Sequence, residues 1–305
     1  MTVHSRGYRA FQGTKSARGP RFLPIFLEAR RDAVRGVLLL VFRLLFVLLP
    51  LVLVGFFLYF QSGPLAAMLR RMPDAPQLDA LESARRSLSL SLLMLHEWTG
   101  LWIVLLTLFV GAGVVADDLR TRALPLYLVR PITPLDYFLG KWLVPASVLV
   151  VYVLLPGLLL LLLAASMRPS GETWAFLVDR RDVVVALLHH FAVLAVGYSS
   201  LVVLVSTVAK RRLSAIVIGA LVFLGGSLVA GTASGVEGPL GDVARGASLF
   251  ADAQRVLQDG LGATLPYGRH VELPSTTAAH LVPAALFLAC AFAVLRRART
   301  SEVVS

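Results

Sequence analysis

Cysteine is almost absent from the chain: Cys290 is the only one. No disulfide can form within the chain, and no cysteine-based metal site can be built. Cys290 lies in an apolar run, where a small buried residue is expected. The first 36 residues also lack the short apolar core and small-residue cleavage site of a signal peptide, so we expect them to be retained. No internal repeat is strong enough to indicate an inverted-repeat transporter.

Long apolar runs dominate what is present. Of the 305 residues, 57% are hydrophobic, against about 45–50% in a soluble domain. The mean hydropathy is +0.77. The composition predicts an all-α integral membrane protein forming one membrane domain over 1–305. A membrane-crossing helix needs about 20 apolar residues. Six stretches qualify, at 38–60, 91–115, 143–165, 183–208, 213–231 and 278–295.

The charge distribution predicts the orientation of these spans. Six spans place both termini on one side, and that side carries eighteen basic against six acidic residues. The opposite loops carry ten basic and eleven acidic residues. Cytoplasmic loops hold the Lys/Arg excess. We therefore expect a multi-pass protein of the cytoplasmic membrane with both termini inside and an external loop at 232–277. The net charge of +11 then reflects topology, and no nucleic-acid partner is expected.

Two stretches outside the spans have helical patterning. After a cytoplasmic tail at 1–20, residues 21–37 predict a helix lying in the membrane interface, although a solvated tail is the alternative. Its expected apolar face comprises Leu23, Phe26, Leu27, Ala33, Val34 and Val37. Residues 242–260 predict a short amphipathic helix over the outer face.

The segment 117–142, DDLRTRALPLYLVRPITPLDYFLGKW, separates the second and third predicted spans. Asp117 and Asp118 are expected to end the second span, with a short helix over 119–129. Thr133 can cap a new helix with Pro134 at its first position and Asp136 in its first turn. The prediction is a cytoplasmic hairpin of two helices with a break at Arg130-Pro131. Its exposed apolar residues suit a groove on a partner; they are Leu126, Tyr127, Leu128 and Ile132.

This segment resembles the first cytoplasmic loop of the type-2 ABC transporter permeases. That loop typically runs from an acidic residue and Gly-Thr-Leu through a leucine-rich turn and Arg-Pro-Ile-Ser to Tyr-Leu-Leu-Gly-Lys. The matching positions are Asp118, Leu124, Leu126, Leu128, Arg130, Pro131, Ile132, Thr133, Tyr137, Phe138, Leu139, Gly140 and Lys141. The departure is Arg122-Ala123, where Gly-Thr is usual.

The resemblance implies a coupling element that docks on a separate ATP-binding subunit. The chain has no GxxxxGK[ST] phosphate loop, so ATP and Mg²⁺ would be held by that partner and no cofactor by this chain. The implied assembly has two ATPase copies and two permease subunits, which are either two copies of this chain or this chain with a related permease. It would be embedded in membrane lipid and would serve export or extracytoplasmic assembly. We expect no enzymatic activity and no catalytic residues in the chain itself. A membrane scaffold, or a membrane-embedded enzyme acting on lipid or peptide, is the alternative.

Ionisable residues inside predicted spans form a second candidate site. Glu97 and His96 in the second span lie at a depth similar to that of His189 and His190 in the fourth, about 9–11 Å from the outer end. Such residues are costly in a membrane and often functional. We expect a Glu–His contact across helices, either as a structural hydrogen bond or as a polar patch or pH-sensitive gate. A metal site is not expected, and HEWTG does not match the HExxH zinc motif.

Overall fold

The computed structural model of the chain describes residues 20–35, 45, 48–62, 80–123, 132–168, 171–209, 211–265 and 272–302. All regular elements within these ranges are helical, and they include a π-helical turn at Val150–Leu154. In chain order the helices are α1 (Phe22–Val34), α2 (Leu49–Ser62), α3 (Ala80–Gly111), α4 (Gly113–Thr121), α5 (Pro134–Leu149), α6 (Leu155–Ser166), α7 (Thr173–Asp179), α8 (Arg181–Val208), α9 (Arg212–Thr232), α10 (Pro239–Arg245), α11 (Leu249–Leu261) and α12 (Thr276–Glu302).

Five helical stretches in the described residues are long and apolar enough to cross a membrane. They are Arg86–Thr121, Pro134–Ser166, Arg181–Val208, Arg212–Thr232 and Thr276–Arg299. Five of the six predicted spans are thus confirmed as apolar helices of sufficient length, and the chain is a multi-pass membrane protein. Of the first predicted span, 38–60, residues 45 and 48–60 are described and the others lie outside the described residues. The described part includes most of α2, an apolar helix of 14 residues.

The helices define two ends of the bundle. We call the end that carries α1, Asp118, Lys141 and Arg212 the proximal end, because these elements line one groove. The distal end is the one where α11 meets the first halves of α8 and α12. Between the two ends α8 is central and buries most of its length. At the periphery α9 exposes its large apolar side chains, as a lipid-facing helix does: Leu213 is 72%, Leu221 64% and Leu228 70% exposed.

Helix α1 exists as predicted but packs through a different face. Ile25, absent from the predicted apolar face, is only 4% exposed, whereas Leu23 and Leu27 are 39% and 52% exposed. Phe26, Ala29 and Ala33 pack beside Ile25 against the core cluster of α5. Burial of this face follows from docking on α5, because residues at i, i+4 and i+8 share one side of a helix. Leu23 and Leu27 of the predicted apolar face stay exposed, so the interfacial position of this face remains a prediction, and Val37 lies outside the described residues.

The predicted external amphipathic stretch forms α10 and α11, and α11 packs into the bundle rather than over it. Leu249, Ala253, Val256 and Leu257 are buried. On the same face lies Asp252, which is fully buried and has no hydrogen-bond partner for either carboxyl oxygen within the described structure. Burial, and secondarily the Asp242 carboxylate, raises the pKa of Asp252 to about 8. A neutral carboxyl group is the form that an apolar site favours.

Candidate functional site

Two stretches on either side of residues 124–131 are joined by a buried ion pair. Lys141 Nζ lies 2.6 Å from Asp118 Oδ2, and the Tyr137 hydroxyl donates a hydrogen bond of 2.8 Å to the same oxygen. The ammonium also lies 5.5 Å from the centre of the Tyr137 ring. Lys141 is 3% and Tyr137 1% exposed. We call Asp118, Tyr137 and Lys141 the arm junction, because it fixes the end of α4 to the first turns of α5.

Local sequence explains why α5 begins where it does. The Thr133 hydroxyl accepts a hydrogen bond from the Asp136 backbone N–H at 3.1 Å, and the Thr133 backbone N–H donates to Asp136 Oδ2 at 3.0 Å. Pro134 occupies the first helical position, where its missing N–H costs nothing. This reciprocal capping box confirms the predicted helix start. It also places Tyr137 and Lys141 one turn apart on the face toward α4.

The other side of the segment differs from the prediction. Residues 119–121 belong to α4, which forms the last part of the second span, and they do not start a separate helix. The helix ends because Arg122 adopts the left-handed conformation, with φ 55° and ψ 32°. The Ala123 N–H then donates to the Asp118 carbonyl at 2.9 Å, which is a left-handed helix cap. Four predicted coupling residues, Leu126, Leu128, Arg130 and Pro131, lie outside the described residues.

Arg122 marks the position where the resembled loop usually has glycine. It is the one non-glycine residue with a positive φ among those the structure describes. A left-handed conformation carries a steric penalty for any residue with a Cβ, and glycine escapes it. The backbone shape that a glycine would favour is therefore present here despite the arginine.

Gly140 allows α1 to approach the arm junction closely. A Cβ at this position would lie 2.8 Å from Ile25 Cβ and 3.0 Å from the Phe22 carbonyl oxygen. Real Cβ atoms do not approach so closely, so a side chain here would push α1 away. Ile132, another predicted site residue, is partly buried against the same core cluster. The arm junction is thus packed between α1, α4 and α5.

The second span is broken at Ala112, between α3 and α4 and before Asp118 of the arm junction. Ser206 of α8 fills the break, since its hydroxyl accepts from the N–H groups of Val115 and Ala116 at 3.0 Å each and donates to the Ala112 carbonyl at 2.8 Å. Arg212 Nη2 donates to the Phe109 carbonyl at 2.7 Å. Side chains of α8 and α9 therefore satisfy backbone groups that an unbroken helix would pair internally.

An acidic groove opens beside the arm junction at the proximal end. Its volume is about 150 Å³. Four carboxylates and two cations line it: Glu28, Asp32, Asp117, Asp118, Lys141 and Arg212. The groove gives solvent a path to the Asp118 side of the junction, while Lys141 stays almost fully covered.

The intramembrane polar residues contact α11, and the predicted contact between Glu97 and a histidine stays a prediction. Glu97 Oε1 accepts a hydrogen bond of 2.5 Å from Gln254 of α11. The His96 ring stacks on Phe250 at 4.4 Å and meets the His190 ring edge-on at 4.9 Å between centroids. His190 Nδ1 lies 2.9 Å from the Ala253 carbonyl oxygen. The carboxylate thus bonds to α11, which the sequence interpretation had not considered as a partner.

His189 is separate from this cluster. Its Nε2 lies 2.7 Å from Nε2 of His280 in α12. Among the residues that the structure describes, no group of three or more His, Cys, Asp or Glu side chains is arranged to hold a metal ion.

The comparison with protein families covers nearly the whole chain. A family model described as "ABC-2 family transporter protein" matches residues 23–295. This range includes four of the five long apolar helices, most of the fifth, the arm junction and α11. No curated protein matches the sequence significantly. The chain therefore belongs to the ABC-2 family of transporter proteins and is a transmembrane permease of an ABC transporter.

Proposed function

We propose that the chain is the permease subunit of an ATP-driven exporter and receives energy from a separate ATPase subunit through residues 117–142. The observation that best supports this proposal is the arm junction, in which the Asp118 carboxylate accepts hydrogen bonds from both Lys141 and Tyr137. The family generally works with ATP-binding subunits and as dimers. Two ATPase copies and a second permease are the expected partners, and ATP with Mg²⁺ is held by the ATPase. The chain itself holds no cofactor and catalyses no reaction.

The arm junction suits force transmission because it makes one unit of two chain segments. An ion pair in a poorly hydrated site is costly to separate once formed. A push on the intervening residues 124–131 therefore reaches α4 and α5 together. From α4 it reaches the break at Ala112, where Ser206 connects the second span to α8. From α5 it continues directly into the third span.

The orientation follows from charge. The proximal end carries α1, the later part of α12 and the described parts of the 117–142 segment. In the sequence, the segments on this side of the spans carry the Lys/Arg excess that cytoplasmic loops show. We place it on the cytoplasmic side of the cell membrane, where an ATPase has access to ATP. Movement at the distal end would then accompany export or work on an extracytoplasmic partner.

Co-purification tests this function. The tagged chain is purified from its native membranes, and ATP hydrolysis in the eluate is measured in the wild type and in Arg130→Glu. Arg296→Glu, an exposed arginine near the end of α12, is the matched charge reversal outside the segment. We expect ATPase activity to elute with the wild type and Arg296→Glu and to be lost with Arg130→Glu. A stable chain without any associated ATPase, or equal association in all three, would overturn the proposal.

A further inference from the structure

The short helix α7, at the distal end of the bundle, carries the most exposed tryptophan of the chain. Trp174 is 75% exposed, and Val178, one turn further along α7, is 50% exposed. The helix stands between two membrane-crossing stretches, one ending at Ser166 and the other beginning at Arg181. A large apolar surface is therefore presented outward at the level where two spans reach the same side of the membrane.

Contacts with the rest of the chain hold α7 in one orientation. On its inner side Phe176 is 6% exposed and belongs to a core cluster that includes Val183 of α8. The Arg168 guanidinium lies over the Phe176 ring, 4.7 Å from its centre. At the end of α7, the buried Arg180 side chain lies 3.7 Å from the Asp182 carboxylate. The outward face of α7 is thus fixed relative to the spans on either side.

The exposed surface of α7 has an apolar side and an acidic side. Successive residues of a helix are rotated by about 100°, so Trp174 and Val178 lie about 40° apart around the axis. Asp179, which is also exposed, lies about 100° beyond Val178. A helix with this division is suited to a boundary between lipid and water, with its apolar side in the lipid.

The neighbouring span sets the level of α7 relative to the bilayer. Val178 precedes Arg181 by three residues, so their Cα atoms lie within about 11 Å of each other. One turn further into α8, Val185 is 64% exposed, as an apolar residue facing lipid is. The headgroup layer on each side of a bilayer is roughly 5–8 Å thick. These distances keep α7 near the boundary between headgroups and acyl chains, where tryptophan is enriched because its ring is apolar and its N–H is polar.

We propose that α7 is an interfacial anchor, which inserts Trp174 and Val178 into the lipid leaflet at the distal end while Asp179 faces water. The apolar side of α7 is covered by the boundary between headgroups and acyl chains and not by another protein. Because α7 leads directly into α8, the anchor fixes the depth of the central helix in the membrane. The proposal depends neither on the ATPase coupling nor on which side of the membrane the distal end lies.

The test measures which reagents reach a spin label on α7 in the full chain, purified and reconstituted in lipid vesicles. Cys290, the only cysteine, is replaced by alanine, and Val178→Cys, Asp179→Cys and Val185→Cys are each labelled with a nitroxide. Oxygen concentrates in lipid, whereas a nickel chelate stays in water, and Val185→Cys is the reference for a label among acyl chains. We expect the oxygen-to-nickel accessibility ratio at Val178→Cys to exceed that at Asp179→Cys by about threefold or more.

A second measurement needs no label. Brominated lipids quench a tryptophan that touches them, so the quenched fraction of the fluorescence should fall in Trp174→Phe. It should not fall in Trp142→Phe, because Trp142 is half-buried and donates a hydrogen bond of 3.0 Å to Ser200. Equal nickel access at Val178→Cys and Asp179→Cys, or unchanged quenching in Trp174→Phe, would overturn the proposal. A label at Val178→Cys that neither oxygen nor nickel reaches would also overturn it, since protein would then cover this side of α7.

Discussion

Replacing Lys141 by methionine removes the cation of the arm junction and leaves the Asp118 carboxylate in a poorly hydrated site. The Asp118 side chain is 13% exposed and keeps the Tyr137 hydroxyl as a donor. Breaking a fully buried pair costs about 3–5 kcal/mol. With the remaining donor and partial exposure, we expect a loss of about 2–3 kcal/mol in the free energy of unfolding. By the scaling for large domains, the melting temperature falls by about 5 °C.

The chain provides its own probe for this measurement. Cys290 is the only cysteine, is fully buried, and belongs to the core cluster that contains Tyr137. A fluorogenic thiol dye therefore reacts only when this core opens. Heating the purified protein with the dye gives a melting curve that reports directly on the packing around the arm junction.

Two variants make the prediction for Lys141 refutable. Arg120→Met removes the cation of a neighbouring ion pair, at 3.7 Å from Asp117, whose side chains are 61% and 43% exposed. An exposed pair contributes about 0–1 kcal/mol, so its melting curve should barely shift. The double variant Asp118→Asn/Lys141→Met removes both charges and should be more stable than Lys141→Met alone. Equal losses for Arg120→Met and Lys141→Met, or a double variant less stable than the single one, would refute the reasoning.

The same assay checks three further predictions. Arg122→Gly should raise the free energy of unfolding by about 0.5–1 kcal/mol, because glycine adopts the left-handed conformation without strain. Arg122→Ala should not raise it. A lower free energy of unfolding in Arg122→Gly would contradict this explanation. Ser206→Ala should cost about 2–3 kcal/mol, since it leaves buried backbone groups unpaired, and hydrogen exchange should quicken at Val115 and Ala116. Unchanged exchange there would count against it. Because the pKa of Asp252 is about 8 when folded and about 3.9 when unfolded, stability should fall as pH rises from about 4 to about 8. Asp252→Asn should flatten that dependence, and an equally steep profile in the variant would exclude Asp252 as its source.

The features that sequence predicted correctly are those decided by neighbouring residues. Thr133, Pro134 and Asp136 form the expected capping box because capping is a property of four consecutive residues. The long apolar helices follow from composition over about 20 residues. The family resemblance rested on a motif of the same local kind, and the family match over residues 23–295 bears it out.

The features that sequence missed depend on tertiary contacts. The buried face of α1 is set by where Gly140 lets α5 approach, and no periodicity within 21–37 contains that information. Gln254 pairs with Glu97 across 157 residues, and His280 meets His189 across 91. The break at Ala112 is stabilised by Ser206 from another span. Within the local sequence, only Gly111 and Gly113 indicate that break. Glycine in an apolar helix also serves close helix packing, so the two glycines do not predict a break by themselves.

The predicted coupling residues separate into two groups once their contacts are known. Asp118, Thr133, Tyr137, Gly140 and Lys141 are all engaged within this chain, by ion pairing, capping or close packing. Residues so engaged have little left to offer a partner, so they are expected to transmit force rather than to dock. Docking then falls to the residues between them, Leu126, Leu128, Arg130 and Pro131. We therefore expect Lys141→Met to keep the ATPase bound but to weaken the response of its activity to transport, and Arg130→Glu to lose the ATPase altogether. If both variants released the ATPase equally at a temperature where both are folded, the arm junction would be part of the docking surface and this division would be wrong.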